Sequence, residues 1–352
     1  MQTLLKPTSL SLDFESDWDL DSVPLNVWAA IWSPVLDIKV LHPRHEEGVN
    51  FIETVAHGGL AGARFATGYE LFQHARRKLT SGAGVIAVQR IVSGYSAMEF
   101  ELKTFVHRPG FITITDHLHE FRGSHHEAIG ETIFIPRHLL GLPEQSPVGP
   151  IMIPTESIHG ELLETELQRY FERSENGADI GAAFNIDTFL HTTSSVIGFH
   201  RHPTSERAGW WRARNDLIRK YIDSHLGDQT LLPAQICNLF NLSRATLYRM
   251  FEADGGVRRF IQDRRLHSAV WDLAEGGIQR GRLTQVADNW GFSSNANFNR
   301  AVKVAFGMPP GALLHPLSFI APASIDDTKQ FFPLLDWLTE LNLEPSGRPH
   351  FF

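Results

Sequence analysis

Residues 235–256 read "QICNLFNLSRATLYRMFEADGG", and residues 285–307 read "QVADNWGFSSNANFNRAVKVAFG". Alone, the first is a small amphipathic segment. Ser243 is placed to cap a short helix by accepting a backbone N–H. Leu247 and Phe251, four apart, make a buried stripe with Met250 beside them, and Arg244, Ala245, Thr246, Tyr248 and Arg249 spread over the other faces. Such a segment is ordinarily a surface helix with two solvated arginines. Set against the second stretch, it becomes one of a pair. Ile236-Cys237 matches Val286-Ala287, and beyond the turn Ser243, Leu247 and Arg249 match Ser294, Phe298 and Arg300. The offset is 50 before the turn and 51 after it, so the second turn is one residue longer. Each copy predicts a short helix, a turn (Asn241-Leu242; Gly291-Phe292), an N-cap serine and a second helix, which is the helix-turn-helix pattern. Between them, "GVRRFIQDRRLHSAVWDLAEGG" (256–277) predicts one long helix with an apolar stripe of Phe260, Ile261, Leu266, Val270 and Leu273.

Charge follows the same division. The chain has 352 residues and a formal net charge of −8, which argues against a polyanion as partner. Residues 209–320, however, hold 14 Lys and Arg against 9 Asp and Glu, a net of +5, and the remainder is net −13. A basic segment inside an acidic chain points to a local polyanion-binding module. The single cysteine, Cys237, excludes an internal disulfide and a thiolate metal cage, and suits a reducing compartment. The opening "MQTLLKPTSLSLDFESDWDL" has no apolar core of signal-peptide length, and no apolar run reaches the roughly 18 residues of a membrane span. A cytoplasmic location without membrane association is the expectation.

Residues 1–154 read as β-rich. In "YSAMEFELKTFVHRPGFITITDH" (95–117), Met98, Phe100 and Leu102 alternate with Glu99, Glu101 and Lys103, predicting a half-buried strand; "HRPG" supplies a turn, and Ile112 and Ile114 alternate with threonines on the return. "GVIAVQRIV" (84–92) and "ETIFIP" (131–136) are further strands, and many short strands with Gly and Pro turns favour a barrel or sandwich. From residue 155 the period becomes helical. "TESIHGELLETELQRYFERS" (155–174) spaces Ile158, Leu162, Leu167, Tyr170 and Phe171 on a helix, and "ADIGAAFNIDTFLHTTSSVIGF" (178–199) predicts a second, so 155–198 reads as a helical hairpin or dimerisation element. Residues 199–209 lack periodicity and read as a linker; 210–320 are helical; 321–352 form an acidic tail with an apolar core of Phe331, Phe332, Leu334, Leu335, Trp337, Leu338 and Leu341, where Pro333 must lie near the start of any helix.

Two tandem copies joined by a long helix resemble the DNA-binding domain of the AraC/XylS family of transcription regulators. "RRLHSAVWDL" (264–273), "VADNWGFSSNANFNRAVKVAFGMPP" (286–310) and the extra turn residue carry the likeness over about 212–315. Residues 1–154 also look like that family's cupin-like effector-binding barrel, with "HRPGFITITD" (107–116) and "IFIPRHLLGL" (133–142) where such domains have a turn-and-strand and a strand-to-helix exit. The tail is a departure, since many members stop soon after the "GMPP"-like segment.

The resemblance implies an α+β chain: a cupin-like barrel with a helical hairpin, then an all-α tandem helix-turn-helix domain. It implies a regulator that binds double-stranded DNA in the major groove, a homodimer, a small-molecule effector, RNA polymerase as a candidate partner, and neither enzyme activity nor a cofactor. On this reading Ser243, Arg244, Ala245, Thr246, Tyr248 and Arg249 face DNA in the first copy, and Ser294, Asn295, Ala296, Asn297, Asn299 and Arg300 in the second. Arginine pairs with guanine, asparagine with adenine, and alanine or a threonine methyl meets the thymine methyl. Leu247 and Phe298 are core anchors. Arg249 and Arg300 have an alternative role, bracing their own domain through carboxylates. The rival signal is "DHLHEFRGSHHE" (116–127), whose four histidines suggest a cupin-type metal enzyme or metal sensor fused to a DNA-binding module. The spacing to Glu127 does not suit the cupin metal pattern. His117 and His119 would share a strand face, and His125-His126 reads as a solvated turn.

Overall fold

The computed structural model describes residues 8–9, 18, 20–45, 48–74, 84–100, 103–142, 148–172, 181, 183–201, 206–276, 279–314, 323–324, 328 and 332–343. They fall into two compact units. One comprises residues 1–100, 105–202 and 319–352, the other 203–318 together with 101–104.

The first unit is built on an antiparallel sheet of eleven strands: β1 (Thr8–Ser9), β2 (Asp21–Pro24), β3 (Asp37–His42), β4 (Val49–His57), β5 (Leu60–Ala66), β6 (Tyr69–His74), β7 (Val85–Phe100), β8 (Lys103–His107), β9 (Phe111–Asp116), β10 (Phe121–Pro136) and β11 (Ile151–Pro154). The order is β1-β2-β4-β5-β10-β7-β9-β11; β3 pairs with β6, β6 with β10, and β8 with β7. The long strands β7 and β10 are the spine. The first half of β10 pairs with β6 (Phe121–His126 against His74–Tyr69) and its second half with β5 (Ile129–Phe134 against Ala66–Ala61). The switch occurs at an irregularity between His126 and Ile129, where Glu127 takes φ +46°. A bulge of this kind bends the strand and lets one strand serve two sheet halves. Gly94 faces it from β7 with φ +68°, and a Cβ there would collide with the Glu127 carbonyl, so no other residue fits.

Helix α1 (Leu25–Trp32) lays Trp28, Ile31 and Trp32 against Phe65 and Phe134. Helices α2 (Ile158–Phe171) and α3 (Ile186–Arg201) cover another face through Leu163, Leu167, Tyr170, Phe171 and Phe189. The expected α2 stripe needs correction. Ile158 and Leu162 are 78% and 42% exposed, and Leu163 is buried in their place. Gly160 explains the rotation: it sits so close to Pro154 that a Cβ would strike the Pro154 carbonyl, which presses this side of the first turn onto the end of β11. Helix α3 starts later than its pattern suggested, because Asn185 caps it, its Oδ1 accepting the Thr188 N–H at 2.9 Å. It also runs to Arg201, and α4 begins at Glu206, so helix occupies much of the 199–209 range expected as linker. Glu99 is a further correction. It lies on the predicted polar side of its strand yet is buried, its carboxylate accepting from Arg122 Nε at 2.5 Å directly across on β10.

The tail also belongs to this unit. Helix α10 (Pro333–Leu343) begins at the proline, and Phe332, Leu334, Leu335, Trp337, Leu338 and Leu341 join the core formed with α1, β4 and β5. Phe331 lies outside the described residues.

The second unit is helical: α4 (Glu206–Ser224), α5 (Pro233–Leu239), α6 (Arg244–Met250), α7 (Val257–Gly276), α8 (Arg282–Asn289) and α9 (Asn295–Phe306). Ile218, Ile222, Ile236, Leu247, Phe251, Phe260 and Ile261 share one core. Leu266, expected in the α7 stripe, is only half-buried, while Arg264, Arg265 and Ser268 are buried. α7 is packed on several sides, so a single stripe does not describe it. Arg264 pairs with Asp223, and Arg265 donates to the carbonyls of Leu226 at 2.8 Å and Asp228 at 2.5 Å, closing the chain end of α4. The expected fold class, an antiparallel cupin-like β-domain followed by an all-α helix-turn-helix region, is the one observed.

Candidate nucleic-acid interface

Each recognition-type helix is set by a serine. Ser243 Oγ accepts the Thr246 N–H at 3.1 Å, and Ser294 Oγ accepts the Asn297 N–H at 3.2 Å. The anchors behave as read, Leu247 and Phe298 being fully buried. Fixing one face inward turns the opposite residues to solvent. On α6, Arg244, Ala245, Tyr248 and Arg249 are exposed and Thr246 is half-buried; on α9, Asn295, Ala296, Asn297, Asn299 and Arg300 are all exposed. Two asparagines are oriented from within: Asn295 Nδ2 donates to Thr284 Oγ1 at 2.8 Å and Asn297 Nδ2 to Ser293 Oγ at 2.7 Å. Each keeps an acceptor oxygen and a second N–H for another partner.

The turns solve one conformational problem in two ways. Asn241 takes φ +48° and Gly291 φ +69°. Asparagine tolerates this region, but at position 291 a Cβ would sit 2.6 Å from the Leu226 carbonyl, so the second turn requires glycine.

Several arginines that made this segment basic are structural. Arg219 pairs with Asp254 and lies over the rings of Phe251 and Phe260, at 4.7 and 4.6 Å from their centroids. Arg282 pairs with Asp272, which also accepts from Trp290 Nε1 at 3.0 Å and so ties α8 to α7. Arg214 donates to the Phe240 carbonyl at the end of α5. These positioning residues were missed because sequence counts charge without showing which carboxylate meets it. Lys303, one turn beyond Arg300, is exposed on α9 and was also missed.

The histidines of 116–127 are not where they were expected. His117 and His119 occupy a turn after β9, and His125 and His126 are buried in β10. His125 Nδ1 meets Glu70 Oε1 at 2.8 Å, and Trp28 Nε1 donates to Glu70 Oε2 at 2.8 Å. His126 stacks on Tyr95 with ring centroids 4.2 Å apart, and its Nε2 meets Ser124 Oγ at 2.8 Å. Among the described residues no three His, Cys, Asp or Glu side chains gather to hold a metal ion. What His117 and His125 share is a cavity of about 590 Å3, its open mouth included, walled by α1 and the interior of the β-domain. Burial depresses the His117 pKa well below the usual histidine value and that of His107, whose Nδ1 meets Gln89 Oε1 at 3.0 Å, to about 3.

Comparison with known proteins matches residues 236–315 to the family model described as "Helix-turn-helix domain". A Photobacterium leiognathi protein, "Probable transcriptional regulator LumQ", is 30% identical over 96 residues, which span 27% of this chain and 37% of that protein. The crystal structure of the AraC-like transcriptional activator CuxR is 20% identical over 72% of this chain and 96% of that chain, with a TM-score of 0.41. The structure of unsaturated fatty acid bound wild-type ToxT from Vibrio cholerae strain SCE256 is 13% identical over 68% of this chain and 89% of that chain, with a TM-score of 0.31.

Proposed function

We propose that the chain is a sequence-specific transcription regulator of AraC/XylS type, controlled by a small molecule bound in its β-domain, on the ground that residues 236–315 match a helix-turn-helix domain. The observation that carries the first part is the duplicated motif: two serine-capped helices, each with a buried anchor and an opposite exposed face, of Arg, Ala and Tyr on the first and Asn, Ala and Arg on the second. Such a face supplies what major-groove readout needs, with Arg249, Asn297 and Arg300 reaching base edges, and Arg244, Tyr248 and Lys303 reaching phosphate. Ser243 and Ser294 act as caps, presenting the helix rather than reading the base. Two such helices in one unit read successive major grooves about 34 Å apart.

The β-domain supports the second part through its cavity. Helix α2 exposes Ile158 and Leu162, which suits a homodimer contact. RNA polymerase is the partner through which an activator of this type would work. The reading includes a cytoplasmic protein without catalytic residues or cofactor, and no helix among the described residues is long and apolar enough to cross a membrane.

The test is selection of preferred duplexes from a random pool by the full chain, followed by substitution. Arg249→Ala and Asn297→Ala are each expected to weaken the selected duplex by about 1–3 kcal/mol and random duplex by less. Equal losses on both would make them phosphate contacts. Unchanged binding with a lower melting temperature would make them braces.

A further inference from the structure

The cavity has a chemistry of its own, and the inference drawn from it rests on the effector-binding reading above. Its walls are mostly aromatic and aliphatic, with Trp28 and Trp32 from α1 facing Phe65, Phe72 and Phe134 from the sheet. Among the described residues no lysine or arginine lines it, so a carboxylate or phosphate would enter without a counter-ion. The one acidic residue among them, Glu70, already uses both oxygens, one on Trp28 and one on His125, and is not available to a cation.

Three lining side chains, each more than nine-tenths buried, have polar atoms with no hydrogen-bond partner: Trp32 Nε1, His117 Nδ1 and Thr132 Oγ1. Buried polar atoms in folded proteins are nearly always satisfied, and three exceptions around one cavity are best explained by a ligand that satisfies them. Indole N–H donates only, so the ligand must bring an acceptor. The threonine hydroxyl donates or accepts, and a neutral imidazole does one at each nitrogen.

We propose that the cavity binds a neutral, largely apolar ligand of one or two rings that carries an acceptor oxygen, as an aryl ketone or ester does, with the oxygen held by Trp32 and Thr132.

Three single-ring probes of like size test this on the full chain by tryptophan fluorescence and thermal shift: acetophenone, benzoate and phenyltrimethylammonium. Acetophenone is expected to raise the melting temperature and to bind at least tenfold more tightly than either ion. Thr132→Val supplies a second readout. It removes an unmet hydroxyl, so the free protein is expected to melt higher, while acetophenone binds three- to tenfold more weakly and toluene, with no acceptor, binds both proteins alike. Equal or tighter binding of benzoate or the ammonium ion overturns the proposal. So does acetophenone leaving the melting temperature unmoved, or Thr132→Val weakening toluene as much as acetophenone. Any of these, in a chain that still selects its duplex and responds to another ligand, removes the ligand class and leaves the regulator reading standing.

Discussion

Asp272 shows how much one side chain holds together in the second helix-turn-helix. Its two oxygens take Arg282 and Trp290, the first residue of α8 and the residue just past its end. Removing it leaves a half-buried guanidinium and an indole N–H without their acceptor, and charged hydrogen bonds are worth about 1.5–3 kcal/mol each. Asp272→Ala is therefore expected to lower the stability of the helical unit by about 2–4 kcal/mol in a urea titration, without a change in the DNA sequence selected. His107 makes a different kind of prediction. Its folded pKa is about 3 and its ordinary value 6.5, so the folded state binds its proton less readily than the unfolded state does. The stability this contributes is fully present above pH 6.5 and is lost as pH falls through the window toward 3. Between pH 7 and pH 5 the loss is about 2 kcal/mol for His107, and His117, depressed in the same direction, adds to it. Urea unfolding of the β-domain at the two pH values checks the slope, and His107→Gln is expected to flatten it.

Elements were legible in the sequence to the degree that one face of each decided its pattern. α6 turns Leu247 inward and α9 turns Phe298, Val302 and Phe306 inward, with solvent on the opposite side of each, so Ser243, Leu247, Ser294 and Phe298 announced them. β10 announced only its second half, residues 131–136; its first half did not, because it is covered on both faces and built into the sheet through β6. Its polar residues, His125 and His126, look solvated until Glu70, Ser124 and Tyr95 are brought to them from other strands. The α2 stripe slipped for a related reason: Gly160, a residue with no side chain, decides which face packs. The cavity was illegible, since it is made by Trp28 and Thr132, more than a hundred positions apart. α10 was legible as a helix, and so apolar a cluster in an acidic tail is expected to pack on the β-domain or on a partner protomer, of which the first is observed. Trp337 is 2% exposed within the β-domain core. Trp337→Ala is expected to cost about 3–5 kcal/mol there, measured by unfolding of the full chain, while leaving the affinity for selected duplex unchanged.

At the level of the whole molecule, the helical unit has its own core and its own share of positive charge. A fragment of residues 203–318 is expected to fold alone by circular dichroism and to bind duplex DNA. With Arg244 and Lys303 neutralising phosphates, log K should fall against log salt with a slope of about −2. An unfolded fragment would show that the unit depends on the rest of the chain. The placement of α10 has a consequence for how the molecule comes into being. Residues that complete the β-domain lie on both sides of the helical unit, so a chain emerging from the ribosome finishes its second unit while its first still lacks a wall. At about 5–20 residues per second, the stretch from 203 to 341 takes roughly 7–28 seconds to synthesise. For that interval the nascent β-domain displays the apolar faces of α1, β4 and β5, a natural target for chaperones. A ribosome that stalls just after the helical unit would leave that unit complete and joined to an unfinished β-domain.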